Sequence, residues 1–137
     1  MLAALAVLSG WIYIGLYGLT EVSETCTMGG DGLLPGLILG GPFALISILC
    51  LWFSRRAASF SFGHLLALGI CLAFGIYLVL PQTWSVSILG HHSCGPGFDA
   101  YLVYVSAWNR WVPIIHAAII LIMAAMSLNL AFRNNTA

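Results

Sequence analysis

Charged side chains are scarce in this 137-residue sequence, which has four basic and four acidic residues. They make up 6% of the chain, whereas an ordinary soluble domain carries about a quarter. Because 61% of the residues are hydrophobic, water cannot be the main solvent of such a chain, and the composition excludes a soluble globular protein. The formal net charge of zero also argues against nucleic-acid binding, since no positive field would attract a phosphate backbone.

Reactive groups are equally sparse. The long apolar stretches contain no Asp, Glu, Lys or Arg, and ion-coupled or proton-coupled transport normally needs such a residue inside the membrane. The stretches also lack a carboxylate pair, a nucleophile beside a positioned base and a C-x-x-C redox motif. These absences predict a protein that is not an enzyme and does not transport a solute by itself.

Four uninterrupted apolar runs cover residues 2–20, 33–53, 60–80 and 111–132. Each is close to the roughly 20 helical residues that cross a hydrocarbon core of about 30 Å. The runs are apolar on all sides, whereas the strands of a membrane barrel alternate polar and apolar residues. We therefore predict an all-α integral membrane protein, a single transmembrane domain over residues 1–137 that forms a four-helix bundle. No basic residue precedes the first run, which favours a retained helix over a cleaved signal.

The arginines indicate the orientation of this bundle. Arg55 and Arg56 follow the second run and Arg133 follows the fourth, while Arg110 alone lies at the other end. Basic residues concentrate on the cytoplasmic side, so both termini are predicted to be cytoplasmic in a plasma membrane of the bacterial inner type. The predicted connections are a cytoplasmic hinge at residues 54–59, an external loop at 21–32 and a longer external loop at 81–110.

Two cysteines lie in the predicted external loops, one in each. Cys26 follows the first run and Cys94 follows the third. In an oxidising compartment they are candidates for a disulfide that ties the loops together. The alternative is two free or metal-binding thiols.

Small residues predict where the helices contact each other. Membrane helices associate through close backbone approach and interhelical hydrogen bonds, because lipid is as apolar as leucine. Helix two carries Gly36 and Gly40 in a G-x-x-x-G spacing, and helix three repeats the pattern with Gly69 and Ala73. The same patterns could contact a partner chain instead. His116, within helix four, is predicted to hydrogen-bond a neighbouring helix.

The segment before helix four is rich in aromatic residues at spacings of three and four, from Phe98 to Trp111. This periodicity predicts an amphipathic helix in the outer interface, or an N-terminal extension of helix four. Aromatic residues and arginine are the usual anchors of protein contacts. The predicted partner-binding residues are Phe98, Tyr101, Tyr104, Trp108, Arg110 and Trp111.

A metal site is the second hypothesis for this end of the bundle. Imidazole and thiolate groups bind soft or borderline metals, and several are predicted to lie on the external side. The alternative is loop histidines that simply face water. The candidate ligands are His91, His92, Cys94 and His116. No other cofactor is predicted.

Taken together, these features predict a small non-enzymatic membrane protein that acts by binding a partner, either another membrane protein or an external one. It would be an accessory subunit of a membrane complex or an immunity-type protein that faces the external side. The alternative hypothesis is a metal-handling or small-solute transport protein that uses external His, Cys and Met ligands.

Overall fold

The computed structural model describes residues 1–24, 33–54, 60–94 and 101–136. Four of its helices are long and apolar enough to cross a membrane, so the four predicted helices are present. All four are predominantly apolar around their circumference, as expected of helices surrounded by lipid or by one another. The helices are α1 (Leu2–Glu24), α2 (Leu33–Ser54), α3 (Phe62–Gln82) and α4 (Val112–Thr136).

Helices α1 and α2 pack antiparallel along most of their length. Gly36, near the start of α2, lies against Thr20 near the end of α1. Close to the other end, Ser47 of α2 donates a hydrogen bond to the carbonyl oxygen of Ala6 at 2.9 Å. Sequence neighbours with a short connection are expected to pack in this way.

The remaining two helices complete an up-down-up-down bundle. Gly10 and Gly18 of α1 face Leu68 and Leu78 of α3 in the same order, so α1 and α3 are parallel. Gly10 also faces Met123, whereas Tyr13, later in α1, is hydrogen-bonded to His116, earlier in α4, so α4 is antiparallel to α1. Helix α1 packs beside α2 and α3, and α4 packs beside the same two helices on the opposite corner.

Hydroxyl groups inside the helices donate to carbonyl oxygens of the preceding turn. An apolar surrounding supplies no water, so each hydroxyl needs a partner within the protein. The donors are Ser9 to Leu5, Thr20 to Leu16, Ser54 to Cys50 and Ser127 to Ala124. These residues are therefore compatible with spans that cross lipid.

The third helical segment extends beyond its predicted end. The sequence predicted a helix over 60–80 followed by a loop, but α3 reaches Gln82 and a π-helical segment continues over Thr83–Leu89. Pro81 removes one N–H donor, yet its fixed φ is helical, and the chain stays apolar to Leu89. Next to the proline, the Ser85 hydroxyl donates to the Pro81 carbonyl at 2.9 Å.

A short hairpin replaces the predicted amphipathic helix. Strands β1 (His91–Cys94) and β2 (Tyr101–Tyr104) pair antiparallel, with His91 opposite Tyr104 and Cys94 opposite Tyr101. The prediction of a helix through Tyr101–Tyr104 was wrong because this Tyr-Leu-Val-Tyr stretch, rich in aromatic and β-branched residues, pairs with β1 as a strand. The predicted extension of helix four is limited to one 3₁₀ turn, Asn109–Trp111, which leads directly into α4.

Candidate functional site

The hairpin and the segment that leads into α4 form one end of the molecule, which we call the cap: residues 91–94 and 101–111. Gly90 joins the cap to the π-helical segment with φ +76°, a left-handed conformation that a residue with a Cβ adopts only at a cost. Its N–H bonds to the carbonyl of Ser85, and its own carbonyl accepts the N–H of Val105 at 3.0 Å. The helix therefore ends at Gly90, where the chain reverses.

Arg110 packs directly over this turn. A Cβ added at Gly90 would lie 2.6 Å from Cζ of Arg110, so the guanidinium covers the position that a side chain would occupy. Its Nε donates to the carbonyl of Val105 at 3.4 Å. The Ser87 hydroxyl donates to the backbone carbonyl of Arg110 at 2.6 Å. Contacts from three sides thus hold Arg110 and the start of α4 against the hairpin.

The predicted partner-binding aromatic residues of the cap are exposed. Tyr104 is 75% exposed and Trp108 87%, while Tyr101 and Trp111 are each more than half exposed. Val105 and Asn109, four residues later, are buried and anchor the same segment to the bundle. Phe98, the remaining predicted aromatic residue, lies outside the described residues.

The two cap histidines do not share one ligand position. Neighbouring residues on a strand point to opposite faces, so the imidazoles of His91 and His92 diverge. The His91 and Tyr104 rings form a T-shaped pair with 6.4 Å between centroids. His92 is half-buried, and burial lowers the pKa of its imidazole because the charged form loses hydration.

The structure does not bring the four predicted metal ligands together. His116 lies in the interior of the bundle and not beside the hairpin, and its Nδ1 is hydrogen-bonded to Tyr13. Among residues 1–24, 33–54, 60–94 and 101–136, no three His, Cys, Asp or Glu side chains form a group that could hold a metal ion. Cys94 is buried at the end of β1, but Cys26 lies outside the described residues. The disulfide and the metal-handling hypothesis therefore stay predictions.

A second polar cluster lies at the centre of the four helices. The Tyr13 hydroxyl and His116 Nδ1 are 2.5 Å apart, and the two rings stack at 5.6 Å between centroids. The ring of Tyr17, one turn further along α1, lies 4.1 Å from the His116 ring. All three side chains are fully buried. The hydrogen bond predicted between His116 and a neighbouring helix is confirmed, and it links the diagonal pair α1 and α4.

The small residues of α2 face α1. A Cβ added at Gly40 would lie 2.9 Å from Cδ2 of Tyr13, and one at Gly36 would collide with the Thr20 side chain. Only glycine at these two positions therefore lets the helices approach to the observed distance. The Tyr13 ring thus contacts Gly40 of α2, and the Tyr13 hydroxyl is hydrogen-bonded to His116 of α4.

The predicted packing role of Gly69 and Ala73 within the bundle was wrong. Both residues are exposed, and a Cβ at Gly69 would meet nothing within 4 Å. They line a shallow outward-facing groove of about 520 Å³ beside α4. The residue of α3 that faces the interior is Gly75, where a Cβ would lie 2.5 Å from Cδ1 of Ile14 and 3.2 Å from Cδ1 of Ile120.

Sequence reasoning missed Tyr13, Tyr17 and Gly75. The one signal for the tyrosines was their spacing of four, which places both hydroxyl-bearing rings on one face of α1. No known protein family, curated protein or solved structure shows significant similarity to this chain.

Proposed function

We propose that this chain is a non-enzymatic membrane-embedded bundle that binds a partner protein through the exposed aromatic residues of its cap. Four helices of membrane-spanning length supply the scaffold. The single observation that carries the proposal is the exposure of Tyr104 and Trp108, two large aromatic side chains on a short hairpin-and-turn unit. The partner is either the complex of which this protein is an accessory subunit or a toxin that an immunity-type protein intercepts.

Rigidity supports this function. Aromatic side chains contribute contact area at low conformational-entropy cost, and a pre-organised surface binds more tightly than one that must order on contact. The Gly90 turn, the Arg110 guanidinium over it and the Val105 hydrogen bond hold the hairpin in place. The exposed rings therefore stand on an ordered support.

The arginines support an external location for the cap. Arg133 lies near the end of α4 opposite the cap, and Arg55 and Arg56 follow the last residue of α2. We place that end in the cytoplasm and the cap on the external side of a bacterial-type plasma membrane, because basic residues are retained inside. An external partner or the external part of a neighbouring membrane protein would then reach Tyr104 and Trp108.

Recovery of the protein with its partner tests the proposal. The tagged protein would be purified from membranes in a gentle detergent, alongside the double variant Tyr104→Ala, Trp108→Ala. Trp52→Ala is the matched control, because Trp52 is 56% exposed near the opposite end of the bundle. We expect a stoichiometric partner to remain with the wild type and the control and to fall at least tenfold with the double variant, since aromatic hot spots contribute 2 kcal/mol or more.

Two results would contradict this function. One is equal recovery of the partner with the double variant, which would remove the cap from the interface. The other is a protein that remains alone after crosslinking in intact membranes and protects no cell against a membrane-directed toxin. If the protein protects cells against such a toxin but has no partner in the membrane, it is an immunity-type protein and not an accessory subunit.

A further inference from the structure

A small pocket lies beside the cap where the π-helical segment meets the start of α4. It has a volume of about 150 Å³. Its lining combines a guanidinium and a hydroxyl group with an indole and two aliphatic side chains. The lining residues are Ser87, Ala107, Arg110, Trp111 and Ile114.

The Arg110 guanidinium of this pocket is held in position and keeps N–H groups that can bind a ligand. Within the described residues, the Arg110 side chain makes one hydrogen bond, from Nε to the Val105 carbonyl, and Gly90 supports the plane of its guanidinium. That bond is long, at 3.4 Å, and it uses none of the four N–H groups on the two terminal nitrogens. Arginine presents such donors in a rigid fork that matches phosphate oxygens.

Two apolar residues of the lining lie where the 3₁₀ turn passes into α4. Trp111 is 62% exposed and Ile114 is 40% exposed. At 1.5 Å per residue, Arg110 and Arg133 are about 35 Å apart along the helix, which exceeds a hydrocarbon core of about 30 Å. Both arginines would therefore reach headgroup layers, and Ile114 would lie about 6 Å deeper than Arg110.

We propose that this pocket binds the phosphate diester of a membrane phospholipid. The terminal N–H groups of Arg110 would hold the phosphate oxygens, Trp111 would lie at the level of the glycerol, and Ile114 would contact the first part of an acyl chain. Tryptophan prefers this depth in membranes, and the positive end of α4 adds to the attraction for an anion. The inference does not depend on the proposed partner, because it concerns the lipid-facing flank of the cap.

Native mass spectrometry of the detergent-purified protein tests this site. The protein would be titrated with dioleoyl phosphatidylglycerol, with dioleoylglycerol as the phosphate-free probe, and with inorganic phosphate as the chain-free probe. We expect one phosphatidylglycerol bound per chain, at least tenfold weaker retention of dioleoylglycerol, and no displacement of the lipid by millimolar inorganic phosphate.

Variants localise the binding. Arg110→Gln should weaken retention of phosphatidylglycerol at least tenfold, whereas Arg133→Gln, the arginine at the opposite end of α4, should change it less than twofold. Arg110 also supports the Gly90 turn, so a second variant leaves it in place: Ala107→Trp fills the pocket from its rim. It should weaken retention as much as Arg110→Gln, with an unchanged thermal unfolding midpoint.

Four outcomes would overturn the proposal. They are a wild-type protein that retains no phosphatidylglycerol, equal retention by wild type and Ala107→Trp, and an Arg133→Gln effect as large as that of Arg110→Gln. The fourth is displacement of the lipid by inorganic phosphate, which would assign the pocket to a free anion.

Discussion

Helices α2 and α3 carry the same spacing of small residues but present it to different surroundings. In α2, Gly36 and Gly40 lie against α1, where an added Cβ would meet Thr20 or the Tyr13 ring. In α3, Gly69 and Ala73 face outward and line a shallow groove. A spacing of four thus marks a helix face that permits close approach, and the neighbouring helices decide whether that approach occurs.

The angular position of Gly75 explains the difference. At 100° per residue, Gly75 lies about 120° from Gly69 and about 160° from Ala73 around α3. Because Gly75 is packed between Ile14 and Ile120, the face with Gly69 and Ala73 must point away from the bundle. One interior glycine therefore fixes the orientation of the whole helix.

The largest expected effect comes from filling the two faces with leucine. Gly36→Leu with Gly40→Leu should lower the free energy of unfolding by about 1–3 kcal/mol for each substitution, because α1 and α2 must separate. Gly69→Leu with Ala73→Leu should change it by less than about 0.5 kcal/mol for each, as at other open positions. Unfolding in mixed micelles measures the free energy of unfolding of both double variants. Equal losses would show that α3 also packs through its outward face.

A second, intermediate effect concerns the Tyr13 ring that contacts Gly40. Tyr13→Phe keeps the ring but removes its hydrogen bond to His116, so it should cost about 0.6–1.7 kcal/mol, the range for such bonds in membranes. Tyr77→Phe is the control, because Tyr77 is 72% exposed on α3. The same unfolding measurement applies. A loss no greater than that of the control would mean that close packing alone holds α1 against its neighbours.

The smallest expected effect separates hydrogen bonding from close approach in the α1–α2 contact. Ser47→Ala removes the bond from the Ser47 hydroxyl to the Ala6 carbonyl and should cost about 0.6 kcal/mol. Ser9→Ala removes a bond within α1 itself and should be nearly neutral. A larger loss for Ser9→Ala would contradict the assignment of Ser47 to the interhelical contact. Thermal unfolding of the two variants side by side provides the comparison.

Hydropathy was sufficient to predict the four helices, because a long apolar run without charges has few other stable structures in lipid. It could not predict the continuation through Pro81 to Leu89, since a proline commonly ends a helix, whereas here the chain stays helical through a π segment. It also could not separate strand from helix in Tyr101–Tyr104. Four residues are too few to distinguish the helical period of 3.6 residues from the strand period of 2. The pairing with β1 is also non-local.

The candidate site was predictable in part. Exposed aromatic residues at Tyr104 and Trp108 agree with the composition of the segment, which is rich in tyrosine and tryptophan near one end of the bundle. The contact between Tyr13 and His116 joins residues 103 positions apart, and no local pattern encodes such a pair. The divergence of His91 and His92 depends on their lying in a strand, which the predicted loop did not specify.

Site-directed labelling across the membrane shows whether the four helices cross the bilayer with the cap at one end and the end of α4 at the other. Cysteine would be introduced as Tyr104→Cys or Asn134→Cys in a chain without its four native cysteines, and intact cells would be treated with a membrane-impermeant maleimide. We expect labelling of Tyr104→Cys in intact cells and of Asn134→Cys only after permeabilisation. Labelling of both in intact cells, or recovery of the chain in water without detergent, would contradict it.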